Sequence, residues 1–174
     1  MESILFTPIR LGGVAVANRF VRSATHEFMA EEDDGAPTAR HVELFERLAE
    51  GEVGLIITGH AYVQPIGKAS PRQTGIHDDR LVEPLSRIPP AVHKHASKIF
   101  VQIAHAGRQT KEKLAGGIPV APSAVFEPVV KILPRELGRA EIRNLIDDFA
   151  AAGRRAKEAG FDGVELHAAN GYLL

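Results

Sequence analysis

Hydrophobic and polar positions along the chain alternate between short apolar runs and longer stretches with helical periodicity. The apolar runs are typical of strands covered on both faces of a parallel sheet, and they occupy residues 19–23, 53–58, 98–103 and 163–167. Residues 5–16 come before them and are interrupted by Pro8, Gly12 and Gly13, which predicts a short hairpin. We therefore expect four strands after an N-terminal hairpin.

Helical spacing of apolar residues fills the first two intervals between these strands. Thr38 is a suitable N-cap for a helix whose apolar face carries Phe45 and Leu48, and Gly51 is expected to end it. A second helix is predicted over residues 81–96, with three prolines inside its boundaries.

The third interval contains the longest helical pattern. Residues 140–159 place four apolar side chains on one face, and Gly160 follows as the expected C-cap; the four are Ile142, Leu145, Ile146 and Phe149. Residues 104–138 come before this helix and contain several prolines, so we expect an ordered excursion over one rim of the sheet.

Strands that alternate with helices form βαβ units with parallel strands. The length of 174 residues suits a single domain over residues 1–174, and no linker or low-complexity segment divides it. The predicted fold class is therefore α/β, with four parallel strands.

Composition excludes several classes of protein. Hydrophobic residues make up 44% of the chain, charged residues 25%, and the net charge is −1, so neither a nucleic acid nor a membrane surface is indicated as a partner. No apolar run approaches the roughly 18 residues of a membrane span, and the first residues lack the basic and apolar regions of a signal peptide. The absence of cysteine excludes disulfides, cysteine-ligated iron–sulfur clusters and a thiol nucleophile, and it fits a cytoplasmic location.

Small residues and histidines follow the first two predicted strands. They are Ser23, Ala24, Thr25 and His26 after the first strand, and Gly59 and His60 after the second. Small residues at such positions let a flat ligand lie against the backbone. Because the carboxyl ends of parallel strands meet at one edge of a sheet, these groups are expected to face one another.

The third and fourth strands deliver hydrogen-bonding side chains to the same edge. Gln102 has two donors and an acceptor, which suits an imide edge. His167 and Asn170 can bind a carbonyl oxygen, and the Tyr172 hydroxyl can give a proton to a developing carbanion. A single histidine at a strand end is more often structural, and Gln102 alone could satisfy a neighbouring backbone group. Four polar clusters at one edge favour a site.

Several stretches of the chain together resemble one enzyme family. The most specific are Gln102 with His105-Ala106-Gly107-Arg108, and His167-Ala168-Ala169-Asn170-Gly171-Tyr172-Leu173-Leu174 at the end. Leu5-Phe6-Thr7-Pro8-Ile9, Asn18-Arg19-Phe20-Val21 and Ala121-Pro122-Ser123-Ala124 add to them. On these residues the chain resembles the N-terminal half of the Old Yellow Enzyme family of NAD(P)H:flavin oxidoreductases, or ene-reductases.

The resemblance implies a fold and an activity. The fold would be a partial TIM (β/α)8 barrel, in which the complete barrel holds FMN at the carboxyl ends of its strands. NADH or NADPH would reduce the flavin, which would then reduce an electron-poor alkene such as an enone. His167 and Asn170 would bind the substrate carbonyl oxygen, and Tyr172 would be the proton donor.

The resemblance also implies which residues contact the cofactor. Ser23, Ala24, Thr25, His26, His60 and Gln102 would line the flavin. Phe28 falls where some relatives place a substrate-contacting tyrosine, so it would offer packing without a hydroxyl. Many relatives carry a cysteine or threonine beside the reactive edge of the flavin, whereas Thr25 and His26 are the residues here; a histidine occurs there in relatives that act on dienoyl thioesters.

Length is the main departure from the family. A complete barrel takes about 250 residues, and the resemblance places the FMN phosphate site in the second half, which this sequence does not include. Four strands leave two open edges, which favour association. The interpretations are a truncation, one part of a split protein, or two copies that close an eight-stranded assembly; we favour truncation with obligate association into a homo-oligomer.

Two alternative functions remain at this point. The first is a half-barrel that associates with itself, is inactive and does not retain FMN. The second is a metal-dependent hydrolase, suggested by the eight histidines. It is the weaker alternative, because His93 and His95 would lie on different faces of a helix. Glu165 would share a strand face with His167 but lie deeper. We expect no metal site.

Overall fold

The computed structural model describes residues 3–174, so Met1 and Glu2, which belong to the predicted domain and to the segment searched for a signal peptide, lie outside the described residues. The strands are β1 (Ile9–Leu11), β2 (Val14–Val16), β3 (Val21–Arg22), β4 (Leu55–Ile57), β5 (Ala61–Tyr62), β6 (Lys98–Ala104), β7 (Val120–Ala121), β8 (Arg135–Glu136) and β9 (Gly163–Leu166). The helices are α1 (Ala39–Glu50), α2 (Val82–Leu85), α3 (Ile88–His93), α4 (Glu112–Ala115) and α5 (Arg139–Glu158), with 3₁₀ turns at Ile4–Phe6, Pro65–Gly67 and Asp79–Leu81.

The four predicted strands form one parallel sheet in the order β3–β4–β6–β9. The pairs Val21↔Leu55, Ile56↔Ile99 and Val101↔Val164 illustrate the register. The short strand β5 was not expected; it follows β4 and pairs in parallel with the carboxyl end of β6. The sheet confirms the predicted parallel arrangement, and the hairpin is confirmed as β1 and β2.

The two faces of the sheet are covered by different elements. On one face, Ile56, Ile99 and Ile103 are fully buried in the main core, which the helices cover. On the other, Leu55 and Ile57 pack with Val16 and the hairpin. Period-two alternation along each strand sends neighbouring residues to opposite faces. The hairpin therefore lies on the face of the sheet opposite the helices.

Both outer strands of the sheet have one unpaired edge. In β9 the exposed fraction is 41% for Val164 and 57% for Leu166, and in β3 it is 50% for Val21. Apolar side chains are exposed here because no strand or helix among residues 3–174 packs beyond them. The predicted open edges are thus confirmed.

Helix α1 begins and ends as its sequence predicts. Thr38 is the N-cap, and its backbone N–H donates to His41 Nδ1 over 3.1 Å. Phe45 and Ala49 are buried against the sheet, and Gly51 follows the last turn. A histidine thus takes the place that glutamate or glutamine has in a capping box.

The helix predicted over residues 81–96 is wrong as a single element. The segment forms a 3₁₀ turn, α2 and α3, with a break at Ser86 and Arg87. Proline lacks a backbone N–H and its ring clashes with the carbonyl four residues earlier, so it is accepted only in the first turn of a helix. Pro89 and Pro90 therefore start a new helix at Ile88.

The apolar face predicted for α5 is only partly buried. Leu145 is 7% exposed and packs in the main core, together with Ala152 and Ala156. Ile142 is 41% and Ile146 is 63% exposed, so only part of the apolar face that these residues share is buried. They lie on the flank of α5 beside the open edge at β9, where the described residues supply no further helix.

The excursion over residues 104–138 is ordered, as expected. It contains α4 and the pair β7–β8, and a bridge joins Glu127 to Ile132. Arg108 donates to the carbonyl oxygens of Ser123 and Val125, and Gln109 donates to Glu127. The segment that follows β6 therefore holds the excursion over the carboxyl end of the sheet.

Candidate functional site at the carboxyl ends of the strands

Four aromatic side chains from three strand ends meet at one edge of the sheet. The ring centroids of His26 and His60 are 4.9 Å apart, and those of His60 and His167 are 6.0 Å apart. The rings of His167 and Tyr172 meet edge-to-face at 4.5 Å. The structure therefore brings together four of the predicted site residues, which we call the ring cluster: His26, His60, His167 and Tyr172.

A tight turn after β9 places Tyr172 in the ring cluster. Asn170 and Gly171 have φ values of +60° and +66°, and the Tyr172 N–H donates to the Ala169 carbonyl. The next residue, Leu173, is 5% exposed, and its N–H donates to the His105 carbonyl. Asparagine and glycine tolerate the left-handed region better than other residues do, so this pair suits the turn.

His26 is held from two sides. Its ring contacts the Phe28 ring with centroids 3.7 Å apart, and its Nε2 makes a hydrogen bond with Ser70 Oγ. Phe28 itself is 58% exposed and has a φ of +54°. Phe28 thus offers an apolar surface next to the ring cluster.

Burial keeps the histidines of the ring cluster neutral at pH 7. It lowers the pKa of His26 to about 4, and for His60 burial and then the neighbouring His26 and His167 lower the pKa to about 4. Burial also lowers the pKa of His167, which the Glu165 carboxylate partly offsets. The pKa of the Tyr172 hydroxyl is raised by burial. Tyr172 is therefore a protonated hydroxyl among neutral rings.

A buried ion pair underneath the ring cluster joins the first two strand ends. Glu27, whose side chain is 3% exposed, lies 3.1 Å from Arg22 Nη1 and accepts the Gly59 N–H over 2.9 Å. Arg22 also donates to the Ile57 carbonyl. Burial raises the pKa of Glu27, although the Gly59 N–H and Arg22 oppose that shift. The sequence analysis did not predict this ion pair. The signal in the sequence was that Arg22 and Glu27, which have opposite charges, flank residues 23–26.

Gln102 does not bond a neighbouring backbone group. Its Nε2 donates to Glu165 Oε1 over 2.6 Å, and the two residues are direct neighbours in the register of β6 and β9. Gln102 is 8% exposed. Glu165, which the sequence placed deeper than His167, thus fixes the rotation of the Gln102 amide.

The remaining predicted site residues lie outside the ring cluster, and most of them are exposed. Ser23 and Thr25 are exposed at the end of β3, where Thr25 Oγ1 donates to the Ser23 carbonyl. Ala24 packs against the hairpin side of the sheet. Asn170 is exposed on the turn beyond His167. The structure therefore brings these residues to the same edge of the sheet without joining them to the ring cluster.

The chemistry of the donor set fits the ring system of a flavin. The Gln102 amide, which Glu165 holds in place, and the exposed backbone at the end of β3 can form hydrogen bonds with an imide edge. The fit does not extend to a phosphate, because none of the predicted flavin-lining residues is a lysine or an arginine and the histidines among them are neutral at pH 7. Gln102 and the end of β3 would thus hold the ring system, which supplies hydride when it is bound and reduced.

The remaining histidine and cavity features of the described residues lie away from this edge. Among residues 3–174 no group of three His, Asp or Glu side chains could hold a metal ion. His93 ends α3 and its Nε2 lies 2.7 Å from Asp162. A cavity of about 380 Å³ lies at the opposite end of the sheet, beside Gly54 and Ser97.

In the part of the chain that is described, no helix has the length and apolar character needed to cross a bilayer.

Comparison with known proteins identifies the family. A family model for FMN oxidoreductases, described as the NADH:flavin oxidoreductase / NADH oxidase family, matches residues 4–174. The chain is 38% identical to NADPH dehydrogenase of Bacillus subtilis over 174 residues, which cover 100% of this chain and 51% of that protein. It is 41% identical to NADH oxidase of Thermoanaerobacter brockii over 98% of this chain and 26% of that protein. These relatives are oxidoreductases, and the family pairs FMN with NADH or NADPH.

Solved structures agree with the sequence relatives. The Old Yellow Enzyme homologue from Zymomonas mobilis superposes with a TM-score of 0.91 at 36% identity, over 98% of this chain and 50% of that one. Morphinone reductase in complex with tetrahydroNAD gives a TM-score of 0.89 at 29% identity, over 99% of this chain and 51% of that one. The chain spans about half the length of these relatives, and the predicted partial TIM barrel is confirmed. The chain belongs to the NADH:flavin oxidoreductase / NADH oxidase family, of which it represents the N-terminal half.

Proposed function

We propose that this chain supplies the substrate-binding and proton-donating half of an FMN-dependent NAD(P)H oxidoreductase that reduces electron-poor alkenes. The observation that carries the proposal is the pairing of His167 and Tyr172 at the end of β9, with ring centroids 4.5 Å apart. A neutral imidazole and a protonated phenol side by side can bind a carbonyl oxygen and deliver a proton to a nearby carbon.

In the proposed reaction, His167 and Asn170 donate hydrogen bonds to the carbonyl oxygen of an α,β-unsaturated substrate. The bonds strengthen as negative charge develops on that oxygen, and an oxyanion donor of this kind typically contributes about 10²–10³-fold to a rate. Asn170 lies on an exposed turn in this structure, and its side chain would turn toward the carbonyl oxygen when substrate binds. Tyr172 provides the proton.

The flavin in this proposal contacts the ends of the first three strands. Its ring would lie along the residues Ser23, Ala24, Thr25, His26 and His60, with the Gln102 amide at its imide edge. The Gln102–Glu165 hydrogen bond supports this placement because it leaves the Gln102 carbonyl oxygen free to accept. Phe28 would cover the substrate side as an apolar wall. Because NADH and NADPH are kept inside cells, we place the reaction in the cytoplasm.

For the 174-residue chain by itself we propose one folding unit over residues 1–174 that associates into a homo-oligomer. The support comes from the exposed apolar side chains along the two unpaired edges, Val21 on β3 and Leu166 on β9. Unpaired edges of this kind favour pairing with another chain. Two copies related by a twofold axis could place β9 of one beside β3 of the other.

A second candidate is that this half-barrel alone retains no FMN and is inactive. The observation that favours it is the lack of a cationic side chain among the proposed flavin-lining residues. Charge-assisted hydrogen bonds to a phosphate are worth about 1.5–3 kcal/mol each, so a ring-only site would be weak.

One experiment separates the two candidates. The purified chain is mixed with FMN, desalted and examined by visible absorption; a retained and shifted flavin band favours the first. The bound flavin is then reduced anaerobically with NADH or NADPH and mixed with 2-cyclohexenone. Reoxidation by the enone supports the proposed substrate class, whereas a reduced flavin that only oxygen reoxidises contradicts it. A colourless protein favours the inactive half-barrel.

A further inference from the structure

His60 and Tyr172 meet across the ring cluster although 112 residues separate them in the chain. His60 Nε2 lies 3.4 Å from Tyr172 Oη, and the rings meet edge-to-face with centroids 5.7 Å apart. The proposed function uses His60 only as a neighbour of the flavin. The contact gives His60 access to the atom from which the proton would leave.

The direction of this hydrogen bond follows from the chemistry of the two groups. A tyrosine hydroxyl has one hydrogen, and a neutral imidazole has one N–H. If Tyr172 is to protonate a substrate carbon, its hydrogen must point at the substrate, and only oxygen lone pairs remain for His60. Resting on the proposed function, we propose that His60 donates its Nε2–H to the Tyr172 oxygen and stabilises the phenolate that forms when Tyr172 releases its proton.

The surroundings of both groups favour a neutral donor over a cation. His60 faces His26 from the end of β3 and faces His167 and Tyr172 from the end of β9. Burial, and then the neighbouring His26 and His167, lower the pKa of His60 to about 4. At pH 7 His60 therefore has one proton to share, and the Tyr172 hydroxyl oxygen is the acceptor within reach.

The Arg22–Glu27 pair sets the position of His60. Glu27 accepts the N–H of Gly59, the residue before His60, and its carboxylate also lies next to Arg22. The backbone that carries His60 is thereby tied to the segment after β3. In the proton transfer His60 acts only through Tyr172, so in that step it is a positioning residue.

The proton and charge balance without any additional reactant. The Tyr172 O–H bond breaks and a C–H bond forms on the substrate, so the negative charge of the substrate carbanion moves to the Tyr172 oxygen. His60 keeps its proton throughout and only shares it with that oxygen. Water then restores the Tyr172 proton between turnovers.

The tautomer of His60 tests the proposal directly and needs no flavin. In a chain labelled with ¹⁵N-histidine, the His60 signals are assigned by comparison with His60→Phe. The proposal expects the Nε2–H tautomer at pH 7. An Nδ1–H tautomer would make His60 an acceptor and would overturn it.

The pKa of Tyr172 gives a second readout that a merely structural role would not move. The chain has two tyrosines and no tryptophan, so ¹³Cζ-tyrosine NMR resolves Tyr172 from Tyr62, with Tyr172→Phe for assignment. His60→Phe keeps the ring volume and removes the N–H. We expect this substitution to raise the pKa of Tyr172, so that its acid dissociation constant falls about tenfold. This is the effect of losing one hydrogen bond to a charged group.

Two control variants complete the test. His60→Gln retains an N–H donor and is expected to restore the wild-type pKa of Tyr172. His26→Phe removes another histidine of the ring cluster that does not touch Tyr172, and is expected to leave that pKa near the wild-type value. An unchanged or lowered pKa in His60→Phe overturns the proposal. Because both readouts use the chain without flavin or alkene, failure of the proposed function would be seen separately, in the reoxidation experiment.

Discussion

Gln102 Nε2 and Glu165 Oε1 are 2.6 Å apart across the neighbouring strands β6 and β9. The bond fixes which way the Gln102 amide faces at the floor of the candidate site. It also links β9, which has an unpaired edge, to the central strand through side chains in addition to the backbone ladder. One contact thus serves both the site and the stability of the sheet.

Replacing Glu165 by leucine should therefore destabilise the chain. The buried Gln102 amide would lose its partner, which costs about 1–3 kcal/mol in the free energy of unfolding. Glu165→Gln keeps an acceptor oxygen at the same length and should lose less than half of that. Urea denaturation of both variants measures the difference, and equal stabilities would show that the bond contributes nothing.

Glu27 should give the chain a pH dependence opposite to that of a carboxylate whose pKa is lowered in the folded state. Its pKa is raised by burial, so the folded state holds the proton more tightly than the unfolded state. Stability associated with Glu27 is then lost as the pH rises from the unfolded value of about 4.5 through the folded pKa. Glu27→Gln removes this titration. We expect wild type to lose stability relative to Glu27→Gln over this range, as measured by urea denaturation at several pH values; a constant difference would contradict this.

His41 should make the chain less stable in acid. It is 2% exposed, and its pKa is lowered to about 4 chiefly by burial. The unfolded state therefore binds more protons between pH 6.5 and 4, and stability falls as the pH falls through this window, by at most about 3 kcal/mol. His41→Gln can still accept the Thr38 N–H but does not titrate, so its stability should fall less steeply. Thermal denaturation from pH 7 to pH 4 compares the two slopes; parallel curves would exclude His41 as a cause.

Tyr172→Phe should slow alkene reduction by about 10²–10⁴-fold, the typical contribution of a general acid. Flavin reduction by NAD(P)H should change little, because it needs no proton from Tyr172. Tyr62→Phe is the matched control, since Tyr62 donates to the Asp34 carbonyl away from the ring cluster. Stopped-flow absorbance separates the two half-reactions. Equal losses in both would argue against Tyr172 as the proton donor.

Leu166→Lys should abolish self-association. Leu166 is 57% exposed beside the open edge of β9, and a lysine there would have to be desolvated in an interface between copies. Size-exclusion chromatography with light scattering should show an oligomer for wild type and a monomer of unchanged helicity for the variant. Lys157→Ala also changes the charge, but in helix α5 rather than on β9, and serves as the control. A wild-type monomer at all concentrations would contradict the proposed association.

The sequence by itself determined the four main parallel strands, the first and last long helices, and the end of the sheet where the candidate site lies. Buried parallel strands need continuous apolar runs, and helices need caps and a 3.6-residue period, so 53–58, 98–103 and Thr38 could be interpreted from neighbouring residues alone. The break at Ser86 also had a local cause, in Pro89 and Pro90. The strand-end positions of His26, His60 and His167 followed from the rule that parallel strands end together.

Only the tertiary structure decided which of these side chains touch. The contacts between Gln102 and Glu165, between Glu27 and Gly59, and between His60 and Tyr172 join residues that lie on different strands. Each depends on strand order and register, which arise from packing of the whole sheet and leave no local pattern. The same holds for Ile142 and Ile146, whose exposure is set by the absence of a neighbouring helix among the described residues. Local chemistry therefore fixed the elements, and long-range packing decided how they form a site.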